Sequence, residues 1–279
     1  MNGATYDIKI TDREFRKLAD VIFKQFGIRL NDNKKNLVEG RLQKILKQKG
    51  FATFSQYYDY LMTHPTDSKQ SLSDLADKIS TNHTFFWREP KHFEIFENKI
   101  LPELAKRNKD TKMLRIWCAA ASTGEEPYTL AMILKRFFGN EYSMWDAGIL
   151  ATDISSKALA QMNAGVYSND RVQELPVGLR NIGFDKVDRN TWKIKPEIKG
   201  DVTIRRFNLM NPLPFKSQFD VVFCRNVMIY FDDPTREDLV NKIFNKTKLG
   251  GHLFVSLSES LNRSKTPFTY STPGHYKKG

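Results

Sequence analysis

Apolar residues early in the chain recur every three or four positions. Phe15, Leu18, Ala19, Ile22 and Phe26 form one such stripe, with Thr11 and Glu14 ahead of it at capping-box spacing and Gly27 as a stop behind it. Val38, Leu42, Ile45 and Leu46 form a second stripe running to Gly50. Phe54, Tyr57, Tyr58 and Leu61 form a third, ended by His64 and Pro65, and Leu72, Leu75 and Ile79 a fourth. The spacing predicts an all-helical region over residues 11 to about 80, with the stripes as its core.

From about residue 110 the period changes. MLRIWCAAAS (113–122) is a short apolar run entering a Ser/Thr/Gly turn, and residues 125–138 follow with a helical pattern. AGILATD (147–153) leads into the helical SSKALAQMNAG, FDVVFCRN (219–226) into PTREDLVNKIFNKTK, and GGHLFVSLSES (250–260) closes the series. Strand, turn and helix in alternation predict an α/β fold, a parallel sheet covered on both faces by helices. Between Tyr167 and Asn208 the alternation lapses. There TWKIKPEI (191–198) and DVTIRRFNL (201–209) read as strands of a small antiparallel insertion.

Composition narrows the class. Hydrophobic residues make up 40% of the 279 positions, enough for a core, and no apolar run approaches the ~20 residues that span a bilayer. The opening MNGATYDIKITDREF has no apolar stretch of the kind that directs export, so a cytoplasmic protein without membrane insertion is expected. Cys118 and Cys224 sit in strand-like runs and read as two buried thiols, although neighbouring strands would permit a disulfide. The five histidines are scattered, no Cys/His cluster has metal-ligand spacing, and no metal is expected. A formal charge of +12 suits nucleic acid, anionic lipid or an acidic protein as partner, or serves solubility alone. It is concentrated early, with 11 Lys or Arg against four Asp or Glu between Arg13 and Lys49. That stretch is either a solvated face or a docking surface for an acidic partner.

In an open parallel sheet, ligands bind beyond the carboxyl ends of the strands. The first strand runs into AAASTGEEP (119–127), whose small side chains let a ligand approach the backbone and whose following helix offers free N–H groups. It has no GxGxxG, and a plain tight turn is the alternative. Asp153 ends the second strand, where a carboxylate accepts from a ribose diol or caps the next helix. Asn208 and the pair Arg225 and Asn226 end two further runs. An Asn there reads an adenine edge through its donor and acceptor, or caps a turn. STNHTFFWREPKHF (80–93) packs three consecutive aromatics among polar groups, which suits either a lid or an interdomain plug with Arg88 paired to Glu89 or another carboxylate. The residues alone point to a nucleoside-binding α/β domain with an aromatic lid.

These segments resemble the CheR family of chemotaxis receptor methyltransferases. TNHTFFWRE (81–89), RIWCAAASTGEEPYTLAM (115–132), LATDIS (150–155), FDVVFCRNVMIYFD (219–232) and GGHLFVSLSESL (250–261) occur in family order, with Trp87 where Phe is more usual. The resemblance implies an N-terminal helical docking domain over 1–80, a lid-bearing linker over 81–110, and a class I (Rossmann-like) methyltransferase domain over 111–279. A small β-subdomain is implied at about 167–207. It also implies S-adenosylmethionine as cofactor, held by Asn82, Thr84, Arg88, Glu126 (or its neighbour Glu125), Asp153, Asn208, Leu209, Arg225 and Asn226. Arg88 and Tyr230 are implied to line the methyl-transfer site. The implied partner is the cytoplasmic domain of a chemotaxis receptor, with no nucleic acid and a working monomer. The insertion is short, so tether-independent action on the receptor is expected. A nucleic-acid methyltransferase is the rival reading: NVMIY (226–230) faintly echoes the Asn-Pro-Pro-Tyr motif of amino-group methyltransferases but lacks both prolines. A cofactor-binding regulator without turnover is another.

Overall fold

The structure, a computed structural model, describes residues 7–63 and 65–279. His64, read above as the end of the third stripe, lies outside the described residues. The chain divides into two compact units, one of residues up to Thr81 with Tyr230–Asp232, the other of Asn82–Ile229 with Asp233–Gly279.

The first unit is helical: α1 (Asp12–Phe26), α2 (Lys35–Lys49), α3 (Phe54–Thr63) and α4 (Pro65–Ile79). Local chemistry sets the bounds of α1. Thr11 caps it in a full capping box with Glu14, and Gly27 ends it at φ 71°, in the left-handed region that a residue without Cβ enters freely. Glu14 does double duty, its second oxygen accepting from the Ser55 N–H and hydroxyl at 2.8 and 2.9 Å and so tying α1 to α3. Phe15, Leu18, Ile22, Val38, Leu42, Leu46, Phe54, Tyr57, Leu61 and Leu75 are buried in this unit.

The second unit opens with α5 (Pro90–Ile95) and α6 (Leu101–Arg107), whose Phe93, Leu101 and Leu104 enter its hydrophobic core. Then come β1 (Met113–Ala119), α7 (Glu125–Phe138), β2 (Asp146–Asp153), α8 (Ser156–Ala164), β3 (Val166–Ser168), α9 (Asn169–Val172), α10 (Val177–Gly183), β4 (Phe184–Lys186), β5 (Thr191–Ile194) and α11 (Pro196–Lys199). The chain finishes with β6 (Val202–Arg206), β7 (Phe219–Phe223), α12 (Asp233–Lys246), β8 (Thr247–Phe254), β9 (Thr269–Thr272) and β10 (His275–Lys277). Seven strands form one sheet in the order β6-β2-β1-β7-β8-β10-β9. The first five in that order run parallel, β10 pairs antiparallel with β8, and β9 pairs antiparallel with β10. This is the doubly wound class I arrangement: strand order reverses beside β1, and the tips of β1 and β7 are where such a sheet takes its ligand. Every residue of β7 is buried, as a strand covered on both faces requires.

The small antiparallel sheet exists, in the order β3-β5-β4. Its membership corrects one expectation. TWKI supplies β5, but the VTIRR run is β6, paired parallel to β2 from Ile149↔Val202 to Asp153↔Arg206. As an edge strand β6 buries Val202, half-buries Ile204 and exposes Thr203, Arg205 and Arg206, which is why it reads as part of a half-solvated antiparallel sheet. Cys118 and Cys224 are free, fully buried thiols. Among the described residues, no helix is long and apolar enough to cross a membrane.

Candidate active site

The turn after β1 is held in a conformation that few sequences adopt. Ala120 and Ser122 have φ of 69° and 51°, and Gly124 of 99°. A Cβ on Gly124 would lie 2.4 Å from Met162 Cγ, so only glycine fits beneath α8. The turn is pinned to β2: Ala121 N–H donates to Thr152 O and Ser122 N–H to Asp153 Oδ2, both at 2.8 Å. Gly124 brings no side-chain cap to α7, a 14-residue helix whose N-terminus follows.

Asp153, at the tip of β2, is buried, and its other oxygen accepts from Ser155 N–H at 2.8 Å. The cap of α8 is Ser155, whose hydroxyl accepts from Ala158 N–H, so the helix-cap alternative for Asp153 does not hold. Beside it, Phe207 N–H donates to Asp153 O at 2.9 Å and brings the end of β6 to the same tip. Asn208 follows, and its Oδ1 accepts from Met210 N–H at 3.0 Å. It therefore caps a local turn with its acceptor; Leu209 is buried next to it.

At the tip of β7, Arg225 is buried and acts as a strut. Its Nη1 donates to Glu126 Oε2 at 2.8 Å, and its Nη2 to Arg88 O at 2.5 Å and Glu89 Oε2 at 3.1 Å. A buried cation needs such partners. Burial pushes the Glu126 carboxyl above its ordinary range, with Arg225 opposing the rise. Asn226, at φ 59°, donates from Nδ2 to Ser256 Oγ at 2.7 Å and Glu89 Oε1 at 3.3 Å, and from its backbone to Glu259 at 3.0 Å. Glu89 is the hub of this corner. Burial opposes its ionisation, but Arg225, the Ser256 hydroxyl and Leu257 N–H outweigh that and hold its carboxyl below the usual range.

Residues 82–88 lie across these tips. Asn82 Nδ2 donates to Ser155 Oγ, and Ser122 Oγ to Asn82 O, both at 3.3 Å. Thr84 O accepts from Arg171 at 2.9 Å. Phe86 is fully buried, edge-on to Tyr167 and Phe184, while Trp87 stacks on Phe93 at 5.2 Å. Arg88 donates to His83 O at 2.9 Å and lies over Phe85; the acid at position 89 pairs with Arg225, not with Arg88.

Asn82, Thr84, Arg88, Glu126, Asp153, Asn208, Leu209, Arg225 and Asn226 thus all lie in the second unit. Direct hydrogen bonds join Arg225 to Glu126 and to the Arg88 carbonyl, and Asn82 meets Asp153 through Ser122 and Ser155. Glu125, the alternative to Glu126, is fully buried and paired to Arg171. Tyr230 groups with the helical unit, where its carbonyl accepts from Arg29 N–H at 2.9 Å. Glu89, Arg171, Ser256 and Glu259 are the residues that sequence reasoning missed. Glu89 lies inside the 81–89 motif, where its sequence neighbour Arg88 is one possible partner but Arg225 is the actual one, and Glu259 lies in the 250–261 motif, whose apolar run reads as a strand without assigning the acid a role. Arg171 lies where the alternation lapsed, with no pattern to flag it. Among the described residues, no group of three or more His, Cys, Asp or Glu is placed to hold a metal ion.

The donor set fits a nucleoside: a buried carboxylate fixed by two backbone N–H groups, a turn of small residues and an uncapped helix N-terminus. Comparison with known proteins agrees. Residues 82–276 match the family model described as CheR methyltransferase, SAM binding domain, and residues 13–80 that described as CheR methyltransferase, all-alpha domain. The chain is 40% identical over 280 residues to a chemotaxis protein methyltransferase of Borreliella burgdorferi, covering 99% of this chain and 98% of that one. It is 35% identical to a probable chemotaxis protein methyltransferase of Rhizobium etli, covering 91% and 98%. With chemotaxis protein methyltransferase 1 of Pseudomonas aeruginosa the identity is 34%, covering 95% and 93%.

Proposed function

The chain belongs to the CheR methyltransferase family, with S-adenosylmethionine as cofactor, and from that premise we propose that it methylates glutamate side chains of chemotaxis receptors. The products are glutamyl methyl esters and S-adenosylhomocysteine. The observation that carries this reading is the hydrogen-bonded ring of Asn82, Ser122, Asp153 and Ser155, which joins two strand tips to the 82–88 segment.

In this reading Asp153 holds the ribose hydroxyls, and Asn208 and Leu209 flank the adenosine. Asn82, Thr84, Glu126, Arg225 and Asn226 complete the pocket. The Glu126–Arg225 pair sets its floor, since each ion satisfies the other with Arg225 buried and Glu126 nearly so. Bound S-adenosylmethionine supplies an electrophilic methyl group on a sulfonium. A substrate glutamate is ionised at neutral pH, its carboxyl titrating near ~4.3, so no residue has to remove a proton. Arg88 then orients the carboxylate, and Tyr230 is its proposed companion. The protein contributes alignment and exclusion of water. Glu125 and Glu126 are not bases in this scheme. The basic helix α2 is the proposed receptor-docking element.

The test is methyl transfer from labelled cofactor to receptor cytoplasmic fragments. Label released by mild base, as methyl esters are, is the expected result. Base-stable label, label on nucleic acid, or cofactor binding without transfer would each overturn the reading.

A further inference from the structure

Arg171 stands outside every motif above, yet it touches three parts of the site at once. From α9, its Nη2 donates to Thr84 O at 2.9 Å, to Thr123 Oγ1 at 3.0 Å and to the Glu125 carboxylate. Its own carbonyl accepts from Phe86 N–H at 3.4 Å. The second anchor beside it comes from β3 of the small sheet, where the Tyr167 hydroxyl donates to Thr123 O at 2.5 Å. Phe86 packs edge-on against Tyr167 and against Phe184 of β4.

Charge balance explains only part of this. Glu125 is fully buried; burial pushes its carboxyl up, and Arg171 opposes that. One ion pair would suffice to neutralise it. The bonds to the Thr84 carbonyl and the Thr123 hydroxyl do nothing for that balance; they fasten residues 84–86 to the turn after β1. All three acceptors converge on the one Nη2 nitrogen, whose two N–H they share, so the three groups are gathered at a single charged point.

We propose that Arg171 is a positioning residue for cofactor binding, holding residues 84–86 onto the turn after β1, so that the small antiparallel sheet is a working part of the cofactor site. This rests on the reading that residues 82–88 and the turn after β1 hold S-adenosylmethionine.

Hydrogen exchange on the unliganded protein gives a readout independent of activity. In Arg171→Gln, amides of residues 84–88 should exchange about tenfold faster while those of β1 and β7 keep their wild-type rates. S-adenosylhomocysteine affinity by calorimetry, and KM for the cofactor, should weaken about tenfold, with KM for the receptor fragment unchanged. Because Arg171→Gln leaves the Glu125 charge buried alone and threatens folding, the double variant Arg171→Gln/Glu125→Gln carries the same measurements without an unpaired ion. A folded double variant with native exchange at 84–88 and native affinity would overturn the proposal alone. Wild-type protein that binds no S-adenosylhomocysteine would instead remove the cofactor reading, and this proposal with it.

Discussion

Among the described residues, five of the six non-glycine residues with left-handed φ are Trp87, Glu89, Ala120, Ser122 and Asn226, all in the candidate site. Each such residue costs on the order of 1–2 kcal/mol, so its surroundings must fix it. Acids do this at three of them: buried Asp153 takes the Ser122 N–H, buried Glu259 the Asn226 N–H, and half-buried Glu89, itself left-handed, is tied by its own side chain to the Leu257 N–H. Asp153→Ala should therefore weaken S-adenosylhomocysteine binding by ~1–3 kcal/mol, because it orphans buried donors as well as removing the ribose acceptor. Calorimetry returning wild-type affinity would refute the ribose role. The position of Asp153 could be read from the chain because an acid ending an apolar run has one obvious place to be. Asn208 could not be read so far, since an Asn at a strand end serves a ligand or a turn equally well, and its acceptor went to Met210. Glu259 is further still from legibility: its role depends on the φ of Asn226, which no spacing reveals.

At the scale of elements, α1 to α4, α7, α8, α12 and the central strands were legible because each obeys one period, whereas the short helices α5, α6 and α9 to α11 carry too few turns to show one. Thr11, Glu14 and Gly27 mark the ends of α1 by chemistry that acts within a turn. The edge strand β6 shows the limit: alternation reports exposure, and exposure is the same for an edge strand of a large sheet and a strand of a small one. Helix α2 poses a different question, one of use. Lys34, Lys44 and Lys47 are exposed on or just ahead of it, Lys47 with Asp7 at 3.4 Å, whereas the less exposed Arg41 is committed to Ile79 O at 2.7 Å and Lys35 to Asp12 at 2.6 Å. Reversing the first three to Glu should raise KM for the receptor fragment by about tenfold, by removing attraction to an acidic partner and adding repulsion. The Kd for S-adenosylhomocysteine should stay within about twofold, since each of these side chains belongs to the other unit. Receptor kinetics indifferent to the triple reversal would make α2 a solvated face.

For the molecule as a whole, the formal charge of +12 says little about pH behaviour; three buried histidines say more. His252 Nδ1 lies 3.1 Å from His275 Nε2, His275 stacks on Phe254, and His92 lies 3.3 Å from Glu89. Burial, reinforced by Arg225 for His92 and by the other two histidines for His275, depresses their pKa values to about 4, 4 and 3 for His92, His252 and His275. For a depressed group the unfolded chain binds the proton first. Stability is therefore full above the unfolded value of ~6.5 and falls as pH drops towards the folded value, by about 1.4 kcal/mol per pH unit for each histidine that stays neutral in the fold. Glu14, Glu39, Glu89 and Glu103 are held below their usual range, so their contribution is lost only at still lower pH, as it falls through their folded values. Glu125, Glu126 and Asp201, raised by burial, act with the opposite sign and gain stability as pH falls, so the slope between pH 6.5 and 5 is the histidines' loss less that gain. Urea unfolding across that window should lose stability, and His252→Gln should lower the slope by one histidine's share even if it lowers stability overall. A slope that His252→Gln leaves unchanged would mean that His252 takes up its proton within the fold, with Glu103 at 3.9 Å stabilising the charge against burial.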